Sequence, residues 1–104
     1  MARFDVYAHP DALLRKKTPY LLDVQNEHLA RIATRVVVPL RSAHQFDRPA
    51  HGLNPVFEIA GNKVILDTAA LAAFPASELK TPLVNLKLQA NAVVGALDIL
   101  FGAY

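Results

Sequence analysis

The chain has 104 residues, enough for one domain, which we predict to span residues 1–104. It contains no cysteine, which excludes disulfides, thiolate zinc sites and cysteine nucleophiles. The formal net charge is only +2 and 53% of the residues are hydrophobic, which argues against disorder and indicates that a partner covers some apolar surface. The N-terminal residues lack a signal peptide's apolar run and no stretch is apolar enough to span a membrane, so we expect a cytoplasmic protein.

Two strands are predicted near the N-terminus, where apolar residues recur at every second position. Residues 3–8 alternate in this way, and Pro10 ends the strand because it supplies no N–H and disfavours helical backbone before it. Residues 20–26, with the sequence YLLDVQN, alternate again. The connection, residues 10–19, is expected to hold at most one helical turn. We interpret its basic run Arg15-Lys16-Lys17 as a solvated loop, with nucleic-acid binding kept only as a runner-up.

A third strand is predicted at residues 34–40, TRVVVPL, because consecutive valines favour the extended backbone. Its apolar run indicates burial on both faces, and Pro39 is expected at an exposed edge or at the strand's end. The preceding sequence EHLARIAT is interpreted as a loop or a short helical turn. Residues 41–54 are predicted to form an irregular loop because polar and turn-forming residues dominate them.

A β-hairpin follows this loop. Its predicted strands, Val56–Ala60 and Lys63–Asp67, flank Gly61-Asn62, two residues that tolerate the positive φ angles of tight hairpin turns. Residues 68–79 are then expected to mix turns with one short strand or helical turn. With this hairpin the number of predicted strands is about five or more, which is enough for an antiparallel barrel or sheet.

A helix is predicted over residues 82–101, because Thr81 can cap it and Pro82 suits its first position. Its apolar residues form two stripes, one for the chain's own sheet and an alanine-rich one that lets another element approach closely. Gly95 supports the close approach, since a mid-helix glycine otherwise costs ~1 kcal/mol. The first stripe holds Leu83, Leu86, Ala90, Val93, Leu97, Leu100 and Phe101, and the second holds Val84, Leu88, Ala92, Ala96 and Ile99. The fold expected is an all-β barrel or α+β domain with this helix over the sheet.

Residues able to carry chemistry show no convergent pattern, so we predict no catalytic residues, no cofactor, no metal and no enzyme activity. The histidines lack zinc-site spacing, and His44 and His51 flank one loop without an evident third ligand. One enzymatic alternative stays open, an endoribonuclease in which Arg35 beside Thr34 holds phosphate and a loop histidine moves the proton. The other interpretation of Arg35 is a salt bridge at a strand end.

The ordered set of motifs FDVYAHPD, YLLDVQN, TRVVVPL and LNPVFEIAGNKVILDT, followed by a helix ending LFGAY, resembles the CcdB family of toxins from toxin–antitoxin modules. The resemblance runs from Phe4 to Tyr104. Its most specific pieces are Phe4-Asp5-Val6-Tyr7, Asp23-Val24-Gln25, Val38-Pro39-Leu40 and Pro55-Val56.

This resemblance implies an SH3-like barrel of antiparallel strands, a small added sheet and a C-terminal helix, assembled as a homodimer. Toxins of the family serve plasmid maintenance and trap DNA gyrase in its cleavage complex by inserting into the dimerisation region of the gyrase A subunit. An antitoxin protein neutralises them. The resemblance therefore implies an inhibitor that binds proteins, without direct contact to nucleic acid or membrane. The alternative within the family is a degenerate member that keeps the dimer and the antitoxin-binding surface but poisons nothing.

The resemblance also implies the target-binding residues, Phe101, Gly102, Ala103 and Tyr104, because the residues after the helix are those that poison gyrase. Well-studied members close with Phe followed by Trp-Gly-Ile, whereas this chain has Gly102 where they have tryptophan. One interpretation makes Tyr104 a displaced aromatic anchor whose carboxylate pairs with an arginine of the target. The other makes Gly102 a C-terminal glycine cap of the helix and folds Tyr104 back onto the core.

Overall fold

Residues 1–102 are described by a computed structural model. They form seven strands, all paired antiparallel in a nearly closed barrel, and one C-terminal helix, which confirms the mainly β fold with a C-terminal helix. The strands are β1 Asp5–Ala8, β2 Tyr20–Asp23, β3 Thr34–Ser42, β4 Val56–Ile59, β5 Asn62–Leu66, β6 Ala72–Pro75 and β7 Val84–Asn85, and the helix is α1 Ala90–Phe101. Single 3-10 turns occupy Ala12–Leu14, Glu27–Leu29, Ala43–Gln45, Thr68–Ala70, Ala76–Glu78 and Lys87–Gln89.

The long strand β3 organises the sheet, whose order is β4-β5-β3-β2-β1-β7. Strand β2 covers one edge of β3, while β6 pairs with the first half of the other edge and β5 with its second half. Pro39 lies at the switch between β6 and β5, where its carbonyl accepts the Asp67 N–H at 2.9 Å. The prediction of an exposed edge or strand end for Pro39 is therefore wrong, because a gap between two partners also tolerates a missing N–H.

Strand β3 also continues further than predicted, since Arg41 and Ser42 pair with Ile65 and Val64 of β5. The prediction placed these two residues in the loop because their side chains are polar. The pairing is long-range and leaves no local pattern in the sequence.

Both faces of the central strands are buried, as predicted for β3. On the inner face, Leu22 pairs with Val6 on one side and Val38 on the other, and each of the three is fully buried. Helix α1 closes this main core with Val93 and Ala96. The opposite face carries a smaller apolar cluster of Tyr7, Leu21, Val37 and Leu79, with Phe74 packed against it.

The hairpin is present, but its turn lies one residue earlier than predicted. Ile59 pairs with Asn62, so the turn residues are Ala60 and Gly61, with φ angles of 51° and 80°. Two positive φ angles are the pattern of a type I′ turn, in which alanine is strained.

The helix is much shorter than predicted, because its first eight residues take another path. Leu83 N–H donates to the Val6 carbonyl at 2.7 Å, and Leu86 N–H donates to the Phe4 carbonyl at 2.9 Å. Val84 and Asn85 thus add strand β7 to β1, and the predicted cap at Thr81 does not form. Of the two predicted stripes, Leu86, Val93 and Ala96 are buried, whereas Leu83, Val84, Leu88, Ile99 and Phe101 are exposed.

Candidate functional site

The C-terminal end of α1 presents a large exposed aromatic side chain. Val93 and Ala96 are fully buried against the barrel, and Leu97 packs partly on the same core. These contacts fix the helix, while Phe101 at its last position remains 71% exposed and Ile99 remains 44% exposed. The helix end therefore carries apolar surface that is exposed among residues 1–102.

Gly102 ends the helix in the left-handed region, with φ 78° and ψ 31°. Its N–H donates to the carbonyl oxygens of Asp98 and Ile99, the hydrogen-bond pattern of a C-terminal glycine cap. This interpretation of Gly102 is confirmed. Ala103 and Tyr104 lie outside the described residues, so both interpretations of Tyr104 stay predictions.

A shallow groove of about 530 Å³ runs beside the helix, between residues 49–56 and the small residues Ala92 and Gly95. The sequence predicted that Gly95 allows close approach of another element. Among the described residues, no atom of another element lies within 4 Å of the position a Cβ would take at Gly95. The close approach is therefore not made among residues 1–102, where Gly95 lines the groove.

A buried ion pair between Asp23 and Arg35 occupies the outer face of the sheet. The Arg35 Nε donates to Asp23 Oδ2 at 2.7 Å, and Nη2 donates to Oδ1 at 2.9 Å. Asp23 is 0% exposed and Arg35 is 1% exposed. The Asp23 carboxylate also accepts the Gln25 N–H at 3.0 Å, while Arg35 Nη1 is buried with no hydrogen-bond partner among the described residues. Such a pair is costly to break, because either partner alone is a buried charge.

Two titratable side chains near this face have shifted pKa values. Burial, together with the nearby Asp5 and Asp23 carboxylates, raises the pKa of the Tyr7 phenol to about 12. Burial lowers the pKa of His9, an effect that the Asp11 carboxylate opposes. The Nδ1 atom of His9 accepts the backbone N–H of Asp11 at 3.0 Å, so His9 holds the start of the following loop in its neutral form.

A comparison with protein-family models matches residues 3–102 to the family described as CcdB protein. The match covers all but the chain's terminal residues. The chain belongs to the CcdB family. A search of curated proteins finds no match.

The fold explains Asp23-Val24-Gln25, one of the motifs that resemble CcdB proteins, at the end of β2 and just after it. In Asp23-Val24-Gln25, Val24 contributes to the main core, whereas Asp23 binds Arg35 on the outer face. The Gln25 side chain accepts the Val36 N–H at 2.9 Å. The triplet therefore joins β2 to β3. Its role in this CcdB protein is to stabilise the barrel, whereas the exposed end of α1 makes no such contact within residues 1–102.

The residues proposed for the endoribonuclease alternative are not assembled as that mechanism requires. Arg35 is paired with Asp23 and buried, so its guanidinium is not accessible to a phosphate, and the salt-bridge interpretation is confirmed. Thr34, His44 and His51 are exposed. No group of three or more potential metal ligands lies together within residues 1–102, and no helix in that range has the length and hydropathy of a membrane span.

Asp23 was not predicted as the partner of Arg35. A signal was available, because Asp23 lies between the apolar residues Leu22 and Val24 in a predicted strand. A buried carboxylate in one strand needs a cation or hydrogen-bond donors from a neighbouring strand, because an unpaired buried charge is costly.

Proposed function

We propose that this chain is the toxin of a toxin–antitoxin module, and that it binds the DNA gyrase A subunit through the end of α1 and the residues after it. Membership of the CcdB family carries the proposal, since the family consists of toxins of this kind. The exposed ring of Phe101 supports it, because Phe101 matches the phenylalanine that precedes the family's tail. On this proposal the chain acts as an inhibitor by binding and performs no catalysis.

The proposal includes the partners that the family implies. We propose a homodimer, an antitoxin that neutralises the toxin, and a role in plasmid maintenance. Because gyrase acts on DNA in the cytoplasm, the proposal places the toxin there. No direct contact with nucleic acid or membrane is part of it.

The action on gyrase is tested with purified protein and bacterial gyrase. We expect the full chain to bind the A subunit and to increase the amount of cleaved DNA trapped on gyrase. A chain ending at Phe101, which lacks Gly102, Ala103 and Tyr104, should bind at least about tenfold more weakly, equivalent to about 1.4 kcal/mol. The unfolding temperature and the dimer content by light scattering are measured in parallel.

Phe101→Ala tests the helix end itself, with Leu13→Ala as a matched control. Leu13 is also apolar and 91% exposed, but it lies in the loop after β1. Phe101→Ala should weaken binding to gyrase by about tenfold or more, as loss of an aromatic anchor does, while Leu13→Ala should not change it. A folded dimer without gyrase binding would favour the degenerate alternative, and cleavage of RNA by the purified protein would favour the endoribonuclease.

A further inference from the structure

The loop at residues 50–54 is a tightly held turn beside the last turns of α1. Its two ends are joined because Asn54 N–H donates to the Ala50 carbonyl and Ala50 N–H donates to Asn54 Oδ1, both at 2.9 Å. The loop is also tied to the barrel. Asn54 Nδ2 donates to the Leu66 carbonyl at 2.9 Å, and the Thr68 hydroxyl donates to the Leu53 carbonyl.

Gly52, at the middle of this loop, lies directly against Ile99 of the helix. A Cβ placed on Gly52 would stand 2.8 Å from Ile99 Cδ1, closer than carbon atoms pack in proteins. Gly52 also has a φ of 78°, which favours glycine. A Cβ at position 52 would therefore force the far end of the flexible Ile99 side chain to shift.

Ile99 belongs to the last turn of α1, which carries the exposed Phe101. It lies two residues before Phe101, and its carbonyl accepts the N–H of the Gly102 cap at 3.3 Å. We propose that Gly52 is a positioning residue, which by its close approach fixes Ile99 and thereby the pose of the last helical turn that presents the tail. The inference rests on the proposed function, since the pose matters through binding of the tail to gyrase.

Gly61 provides a matched control. It has a φ of 80°, like Gly52, but none of the atoms described for residues 1–102 would lie in contact with a Cβ there, within 4 Å. Gly52→Ala and Gly61→Ala should therefore share the backbone strain, whereas only Gly52→Ala adds the contact with Ile99. We expect binding to the purified gyrase A subunit to weaken about tenfold in Gly52→Ala and less than about twofold in Gly61→Ala.

Rescue by Ile99→Val tests whether the effect passes through Ile99. Valine lacks the Cδ1 atom, so the variant combining Gly52→Ala with Ile99→Val should regain gyrase affinity to within about threefold of Ile99→Val alone. A merely structural role of Gly52 would lower stability without this rescue of affinity. Gly52→Asn and Gly61→Asn repeat the comparison with less strain, since asparagine tolerates positive φ, and serve if the alanine variants do not fold.

The outcomes separate the inference from the proposed function. Equal gyrase affinity in the Gly52 and Gly61 variants would overturn the inference, as would a loss in Gly52→Ala that Ile99→Val does not reverse. If the chain ending at Phe101 binds gyrase as well as the full chain does, the proposed function fails first. If that truncation abolishes binding while the Gly52 variants bind normally, only the positioning role is refuted.

Discussion

Replacing Arg35 with methionine tests how much the buried ion pair stabilises the fold. Methionine has a long unbranched side chain without charge, so it fills part of the space and leaves Asp23 without its cation. The Asp23 carboxylate, at 0% exposure, would lose two hydrogen bonds from Arg35 of 2.7 and 2.9 Å and keep the one from Gln25 N–H. The single replacement therefore leaves the Asp23 carboxylate buried without a countercharge.

The expected cost follows from the burial of both partners. Removing one member of a fully buried pair costs about 3–5 kcal/mol, out of about 5–15 kcal/mol for a typical domain. Each kcal/mol lowers Tm by about 4–8 °C in a domain of roughly this size, so Tm should fall by at least about 12 °C. Arg41→Met is the matched control, because the Arg41–Asp67 pair is 25% and 22% exposed and should contribute only about 1 kcal/mol.

Urea unfolding followed by circular dichroism measures these free energies. The double variant Asp23→Asn with Arg35→Met removes both charges, and we expect it to be about 2 kcal/mol more stable than Arg35→Met alone. A cost below about 1 kcal/mol for Arg35→Met would refute the argument. A double variant no more stable than the single one would also refute it, because the cost would then come from packing and not from an unpaired charge.

Two further predictions concern local features of the backbone. Because burial lowers the pKa of His9 in the folded state, its neutral form adds stability above about pH 6.5 that is lost as the pH falls through the folded pKa. Urea midpoints measured between about pH 7 and 4 should therefore fall less steeply in His9→Gln, and an unchanged slope would show that the burial of neutral His9 adds no pH-dependent stability. Ala60→Gly should raise the free energy of unfolding by about 0.5 kcal/mol. The reason is that relief of about 1–2 kcal/mol of left-handed strain outweighs the entropy cost of about 0.5–1 kcal/mol for glycine. A lower Tm for Ala60→Gly would show that alanine is not strained there.

The strands were predictable where a local pattern decided them, and the helix start was not. Proline after threonine gives a sound helix start in isolation, but the free edge of β1 offers hydrogen bonds to Leu83 and Leu86 that the local sequence does not reveal. The helix therefore begins at Ala90, after strand β7. Whether such a segment becomes helix or strand depends on the competition between a local helix cap and the edge of a strand that is distant in sequence.

The hairpin register shows a second limit of the sequence. Moving the turn from Gly61-Asn62 to Ala60-Gly61 shifts the strand pairing by two residues, which leaves every side chain on the same face. Phe57, Ile59 and Val64 lie on the same face of the hairpin in either register, so the alternation of apolar residues fits both registers equally well. The observed one pairs Phe57 with Val64 and lets Asn62 Nδ2 donate to the Tyr20 hydroxyl at 3.0 Å, a contact across the barrel that no local pattern encodes.

The candidate site was predictable only in part. The position of Phe101 at the helix end follows from the apolar period, but its exposure depends on which helix face meets the barrel. The buried pair of Asp23 and Arg35 depends on the register of β2 and β3 and was recognised only as one interpretation of Arg35.

On the proposed function, the deep burial of the Asp23–Arg35 pair affects how genetic selections for harmless variants of this chain should be interpreted. Cells that survive expression will include many with changes at these two positions, because an unstable chain is degraded before it meets any target. Such survivors would resemble contact mutants in a growth assay. Sorting them by the amount of intact protein in the cell separates variants that are no longer made stably from variants that are present but inert.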